Sequence, residues 1–103
     1  MEQLRTYKLI DKATAEHYLA VHWANHVKHL PKYGFEIKGV WIGDTPDIAN
    51  EVMVIVSFPD HEDVEEMTQR YFKSPEFMDN MKDFDRSNFV HIETKIIRPA
   101  KWV

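Results

Sequence analysis

Three features of the sequence predict an α+β fold built on a four-stranded antiparallel sheet. Residues 34–42 (GFEIKGVWI) alternate apolar and polar side chains with the two-residue period of a half-buried strand. Residues 51–58 (EVMVIVSF) are nearly all apolar and β-branched, as a strand covered on both faces is, which places it centrally in its sheet. Two helix-like stretches separate this pair from an outer strand on each side, giving the order β-α-β-β-α-β.

The elements follow in chain order. Residues 3–10 read as the first strand, with Leu4, Thr6, Lys8 and Ile10 on one face and Arg5, Tyr7 and Leu9 on the other. Asp11 caps a helix that runs to about Leu30, with Thr14 three residues on. Pro31 disfavours helical geometry at Leu30, and Gly34 supplies the turn. In the second strand Phe35, Ile37 and Trp41 share one face, and Glu36, Lys38, Val40 and Ile42 share the other. Residues 43–50 (GDTPDIAN) are turn chemistry. Asp60 caps the second helix with Asp63 at the reciprocal position, and an acidic first turn suits the helix dipole. Ser74-Pro75 restarts a short helix through about Phe84. Residues 88–98 form the last strand, Pro99 ends it, and Trp102 in the tail is expected to cover an apolar patch, on its own chain or on the partner subunit.

Right-handed crossovers turn this order into the ferredoxin-like sandwich: a four-stranded antiparallel sheet, strands one and three central, both helices on one face. The other face is left bare. Strand three carries Val52, Val54, Val56 and Phe58 on one side and Met53 and Ile55 on the other, so neither side suits water. Burying an exposed Val or Ile is worth about 1.5–3 kcal/mol. A second copy packed sheet to sheet is the expected remedy, so the chain is expected to be a homodimer.

Composition narrows the function. A chain of 103 residues fits one domain, residues 1–103, and is long enough to bury a core without metal or disulfide. Net charge is −4 and no basic patch stands out, so nucleic acid is not an expected partner. There is no cysteine, hence no thiolate nucleophile and no Cys-based metal site. The first residues lack the form of a signal peptide and no apolar run approaches a membrane span, so a cytoplasmic protein is expected, with no membrane partner. Aromatic residues make up 13% of the chain, more than one small core readily hides, which also favours a dimer or a ligand pocket.

The stretches EQLRTYKL, PKYGFEIKGVW, NEVMVIVSF and KSPEF, with Tyr18 and Leu19 between the first two, resemble the NIPSNAP family from Glu2 to about Phe77. DKAT after the first strand departs from the Pro-Gly turn more usual there. The resemblance implies the dimeric α/β-barrel superfamily, in which two ferredoxin-like domains join their sheets into a barrel. Its members include cofactor-independent oxygenases, lactone isomerases, polyketide cyclases and haem-handling enzymes. It therefore implies a small-molecule pocket between sheet and helices, and says little about the reaction. The alternative is a non-catalytic ligand-binding or assembly domain. Haem-degrading relatives pair a helix-borne histidine with an asparagine on the first strand and a tryptophan on the second helix. This chain has neither, so no cofactor is expected.

Four of the six histidines fall in HYLAVHWANHVKH, residues 17–29. On a 100° helical wheel Leu19, Ala20, Trp23, Val27 and Leu30 form the apolar face. His22, His26 and His29 fall on its flank beside Tyr18, and His17 points elsewhere. His22 and His26 could share an ion, but His29 lies about 10.5 Å from His22 along the axis, and Trp23 stands where HExxH needs Glu, so no metal is expected. A neutral His22 or His26 could act as base toward an acidic phenol or enol, and Tyr7 could hydrogen-bond a developing oxyanion. These three are the catalytic candidates; a solvated or interface-facing flank is the competing reading of the histidines. Arg5, Tyr18, Trp41 and His91 are the candidates for a binding cavity that takes a small aromatic ligand. Arg5 is an anion or carbonyl anchor, or else half of an ion pair with Glu51 or Glu93. Trp41 is a pocket wall, or else core or dimer interface. His91 is read as alternating on one face with Phe89 and Glu93.

Overall fold

The computed structural model describes residues 1–102. The strands are β1 (Glu2–Leu9), β2 (Glu36–Ile42), β3 (Glu51–Ser57) and β4 (Phe89–Ile97). They form one antiparallel sheet in the order β2-β3-β1-β4, the ferredoxin-like arrangement. The first helical layer is α1 (Lys12–His17), a π-helical segment (Tyr18–Trp23), α2 (Ala24–His29) and a 3₁₀ turn (Leu30–Tyr33), continuous end to end. The second is α3 (Val64–Phe72) followed by α4 (Pro75–Met81). No helix among the described residues is long and apolar enough to cross a membrane.

Local chemistry sets the boundaries. Asp11 accepts from the Thr14 amide at 2.7 Å and starts α1. Gly34 ends the helical layer at φ 94°, the left-handed region that glycine enters without a Cβ penalty. Ser74 accepts from the Phe77 amide and Pro75 opens α4. The cap of α3 differs from expectation. Asp63, not Asp60, accepts from the amides of Glu65 and Glu66. Asp60 sits in the preceding turn and binds the N-terminal amine of Met1 at 2.6 Å. Both aspartates are plausible caps in sequence; the tertiary pairing with Met1 takes Asp60 out of that role.

The core lies between sheet and helices. Leu9 of β1 and Val52, Val54 and Val56 of β3 are fully buried on that side, under Ala15, Trp23, Leu30 and Met67. On the bare side Leu4, Met53 and Ile55 are only half covered within one chain.

Two register shifts re-aim side chains. The first falls between Ile37 and Gly39, where Lys38 is an extra residue in β2. Beyond it Val40 and Ile42 pair with Val54 and Val52 on the helix side, while Trp41 pairs with Met53 on the bare side. Phe35, Ile37 and Trp41 therefore do not share a face. A one-residue slip inverts everything after it. Trp41 lies over Gly39, where a Cβ would collide with its ring. The second shift, between Lys8 and Leu9, separates Phe89, opposite Leu9 in the core, from His91, opposite Lys8 on the bare side with Glu93. Trp102 is 87% exposed and covers no patch of its own chain.

Candidate functional site

β1 runs through the centre of the sheet, and its alternation aims Gln3, Arg5, Tyr7 and Leu9 at the helices. Above them the helical layer is turned from the orientation that a regular wheel gives. Ala15, Tyr18, His22, Trp23, His26 and Leu30 point inward; Ala20 and Val27 are exposed. His22 and His26 are thus on the buried face, not a solvated flank. The stretch carries two competing stripes, and the π-helical turn at Tyr18–Trp23 changes the angular step between them. The same turn brings the ring of His17, expected to point away, within 5.4 Å of His22.

Between these layers is a cavity of about 300 Å³. Arg5, Tyr7, Phe89 and Ile92 floor it from the sheet, and Tyr18, Trp23, His26 and Leu30 roof it. Tyr71, Phe72, Phe77 and Met81 close the side from α3 and α4, with Arg86 at one end. Its walls are aromatic: Tyr7 and Tyr18 meet edge to face at 5.5 Å, and Trp23 stands 5.0 Å from His26. The cavity shares Arg5, Tyr7, Phe72 and Ile92 with an outer groove of about 780 Å³, rimmed by Asp63, Glu65, Glu66, Arg70 and Lys73.

The polar groups have distinct states. Burial pushes His26 down to about 3, with the neighbouring His22, His29 and Arg5 charges acting the same way. It is neutral at ordinary pH. Its Nδ1 lies 2.5 Å from the Tyr71 hydroxyl oxygen and 3.5 Å from the Asn80 amide nitrogen. Assigned as the acceptor of both contacts, Nδ1 leaves the ring proton on Nε2, and His26 is then a donor at its free nitrogen and no base there. Burial likewise lowers His22, helped by His17. Its Nδ1 is buried without a partner, and its ring packs on Phe84 at 4.9 Å, behind the cavity wall. Burial raises Tyr7, with Arg5 opposing, and raises Tyr18 and Tyr71 well above the usual phenol value. Trp23 Nε1 is near enough to favour the Tyr18 oxyanion, yet it reaches no partner in hydrogen-bond geometry.

Arg5 is 4% exposed. Its Nε donates to Gln3 Oε1 at 2.8 Å and its Nη2 to Thr68 Oγ1 at 2.9 Å, and its guanidinium lies 5.1 Å from the Phe35 ring centre. The ion pair with Glu51 or Glu93 does not form. Glu93 is on the bare face, paired with Lys95 and His91.

The fold thus brings together Arg5, Tyr7, Tyr18 and His26 of the residues singled out from sequence. It sets His22 behind the wall. It puts Trp41 and His91 on the opposite side of the sheet, outside the cavity. Sequence reasoning missed Tyr71, Phe77 and Trp23 as cavity residues. The Met67–Tyr71 spacing on α3 was the available signal for Tyr71. Among the described residues no three His, Asp or Glu side chains converge as metal ligands.

Solved structures of low identity share this fold. One is Atu4242 from Agrobacterium tumefaciens, a NIPSNAP family protein with unknown function, 24% identical with a TM-score of 0.79 over 99% of this chain and 89% of that one. Another is an uncharacterised NIPSNAP domain protein from Burkholderia xenovorans, 17% identical at TM-score 0.76, covering 99% and 96%. A putative antibiotic biosynthesis monooxygenase from Bacteroides thetaiotaomicron is 15% identical at TM-score 0.62, covering 96% and 88%. No curated protein matches. The NIPSNAP family model matches residues 1–103, the whole of this sequence, and the chain belongs to that family.

Proposed function

We propose that this chain binds a small aromatic molecule in the cavity between its sheet and helices, as a homodimer joined through the bare sheet face. The observation that carries the reading is an aromatic-walled space of about 300 Å³ into which a few polar groups converge. That is about twice the ~150 Å³ cavity that holds benzene, so one or two fused rings fit. Cofactor-independent oxygenation, isomerisation or cyclisation of an aromatic or polyketide-like compound is the chemistry this suits, because each develops charge on an enolate or phenolate oxygen. The Nε2–H of His26, the Tyr7 and Tyr18 hydroxyls and Arg5 are donors for such an oxygen. Similarity in fold to a putative antibiotic biosynthesis monooxygenase agrees with it.

The second reading, a non-catalytic binding domain, is favoured by one observation. His26, held near 3, is no base poised at neutral pH, and the tyrosines are raised. Recovery of a bound compound unchanged after incubation in air supports binding alone; conversion supports the enzyme. A cytoplasmic location fits either.

A thermal-shift screen of phenols, naphthols, quinones, flavins, haem and divalent metals tests the cavity. A ligand at 100 times its dissociation constant adds about 2.7 kcal/mol, and each kcal/mol moves a domain of this size by roughly 4–8 °C. One- and two-ring phenols are expected to give such shifts; no shift from any organic compound counts against the cavity. The dimer has its own test. Light scattering at micromolar concentration is expected to give twice the 12.3 kDa chain mass, and Trp41→Glu, on the half-covered bare face, to halve it. A monomeric wild-type mass removes the dimer.

A further inference from the structure

We infer that the cavity is built for a planar aromatic carboxylate, held by Arg5. This rests on the ligand cavity proposed above and adds the charge of what enters it. A guanidinium has five N–H donors and is never neutral at ordinary pH. Arg5 commits one N–H to Gln3 and one to Thr68, both uncharged. Its other N–H groups, on Nη1 and Nη2, meet no carboxylate among the described residues; the guanidinium approaches only the Tyr7 hydroxyl besides, and favours that phenol's ionised form. Nη1 is nonetheless absent from the enclosed atoms that lack a partner, which are His22 Nδ1 and Trp23 Nε1. Arg5 lines both spaces, at the junction of cavity and groove.

Charge balance leads to the same place. No carboxylate among the described residues comes within 4 Å of Arg5. Asp63, Glu65 and Glu66 stand at the groove rim, exposed to water, where Asp63 is occupied in capping α3. Arg70 and Lys73 share that rim. A charge this buried is ordinarily matched by an anion. Gln3, Thr68 and Phe35 fix the guanidinium plane and leave N–H donors on Nη1 and Nη2 beyond those they take, donors of the kind a carboxylate accepts in parallel pairs. The remaining walls, Tyr7, Tyr18, Trp23 and Phe72, supply ring faces rather than further charge. The ligand is thus an anion at one end and flat and apolar over the rest.

The test is calorimetric titration at pH 7.5 with 2-naphthoate and its uncharged isostere 2-naphthamide. The wild-type chain is expected to bind the carboxylate about tenfold tighter or more, each tenfold being about 1.4 kcal/mol. Arg5→Gln is expected to abolish the preference, weakening the carboxylate about tenfold more than the amide, and Arg5→Lys to keep part of it. Equal affinity of the two probes for the wild-type chain overturns the anion site and leaves the cavity standing. Binding of neither at millimolar concentration removes the cavity reading, and the anion site with it. The comparison on the wild-type chain decides the matter even where Arg5→Gln does not fold.

Discussion

Between pH 6.5 and 4 the folded chain is expected to lose about 1.4 kcal/mol of stability per pH unit through His26 alone. The folded state holds His26 at about 3, below the ordinary value of 6.5, chiefly because burial penalises the charged ring. Below pH 6.5 the unfolded chain takes up a proton that the folded chain refuses. The contribution is thus fully present above 6.5 and is lost as pH falls toward 3. By pH 4.5 the loss reaches about 2.7 kcal/mol, a large share of the roughly 5–15 kcal/mol of a typical domain. His26→Gln keeps an acceptor for Tyr71 and removes the titration. Urea unfolding at pH 7, 5.5 and 4.5 should show wild type losing its margin over the variant as pH falls. Acid-sensitive carboxylates and His22, present in both proteins, cancel in that difference. Parallel curves would sink the buried, neutral assignment.

The second large effect is at Trp23. Truncation to alanine removes a ring that is 3% exposed and that touches Tyr7, Tyr18 and His26. The expected cost is about 3–5 kcal/mol, the range for a large aromatic lost from a core. Trp23→Phe is expected to cost less than about 1.5 kcal/mol. It keeps a ring and deletes the indole N–H that is buried without a partner, a group whose burial is itself unfavourable. Denaturant midpoints of the two variants check this, and equal losses would mean that Nε1 is satisfied after all.

Much of the architecture was legible. The alternation in β1, the β-branched run of β3, the Asp11 and Ser74 caps and the glycine after Tyr33 gave strand order, the starts of α1 and α4 and a bare sheet face. What escaped was register. The extra residues Lys38 and Val90 have nothing in their side chains to mark them as bulges, yet each inverts the facing of the strand on one side of it relative to the other. That is why Trp41 and His91 read as cavity residues and stand on the other side of the sheet.

The helix misled for a different reason. Leu19, Trp23 and Val27 make a better apolar stripe than Tyr18, His22 and His26 by hydropathy alone. Hydropathy does not count the hydrogen bond from Tyr71, the Asn80 amide, or the rings of Phe77 and Phe84 waiting opposite. Once those partners are present, a neutral imidazole is an acceptable core side chain. For Arg5 the sequence left anchor and ion pair open. Only the three-dimensional placement of Glu93 behind the sheet removed a partner for it.

Occupancy of the cavity is most directly read from Trp23 itself. Trp41 and Trp102 are 49% and 87% exposed, and replacing both with phenylalanine leaves Trp23 as the sole indole. Titrating that protein with 2-naphthoate and following Trp23 emission places the reporter in the cavity wall. Saturable quenching or a spectral shift that is lost when Tyr18 is replaced by alanine in a folded variant is the predicted result. Emission from Trp23 that stays unchanged while calorimetry records binding would put the ligand elsewhere and contradict the site described.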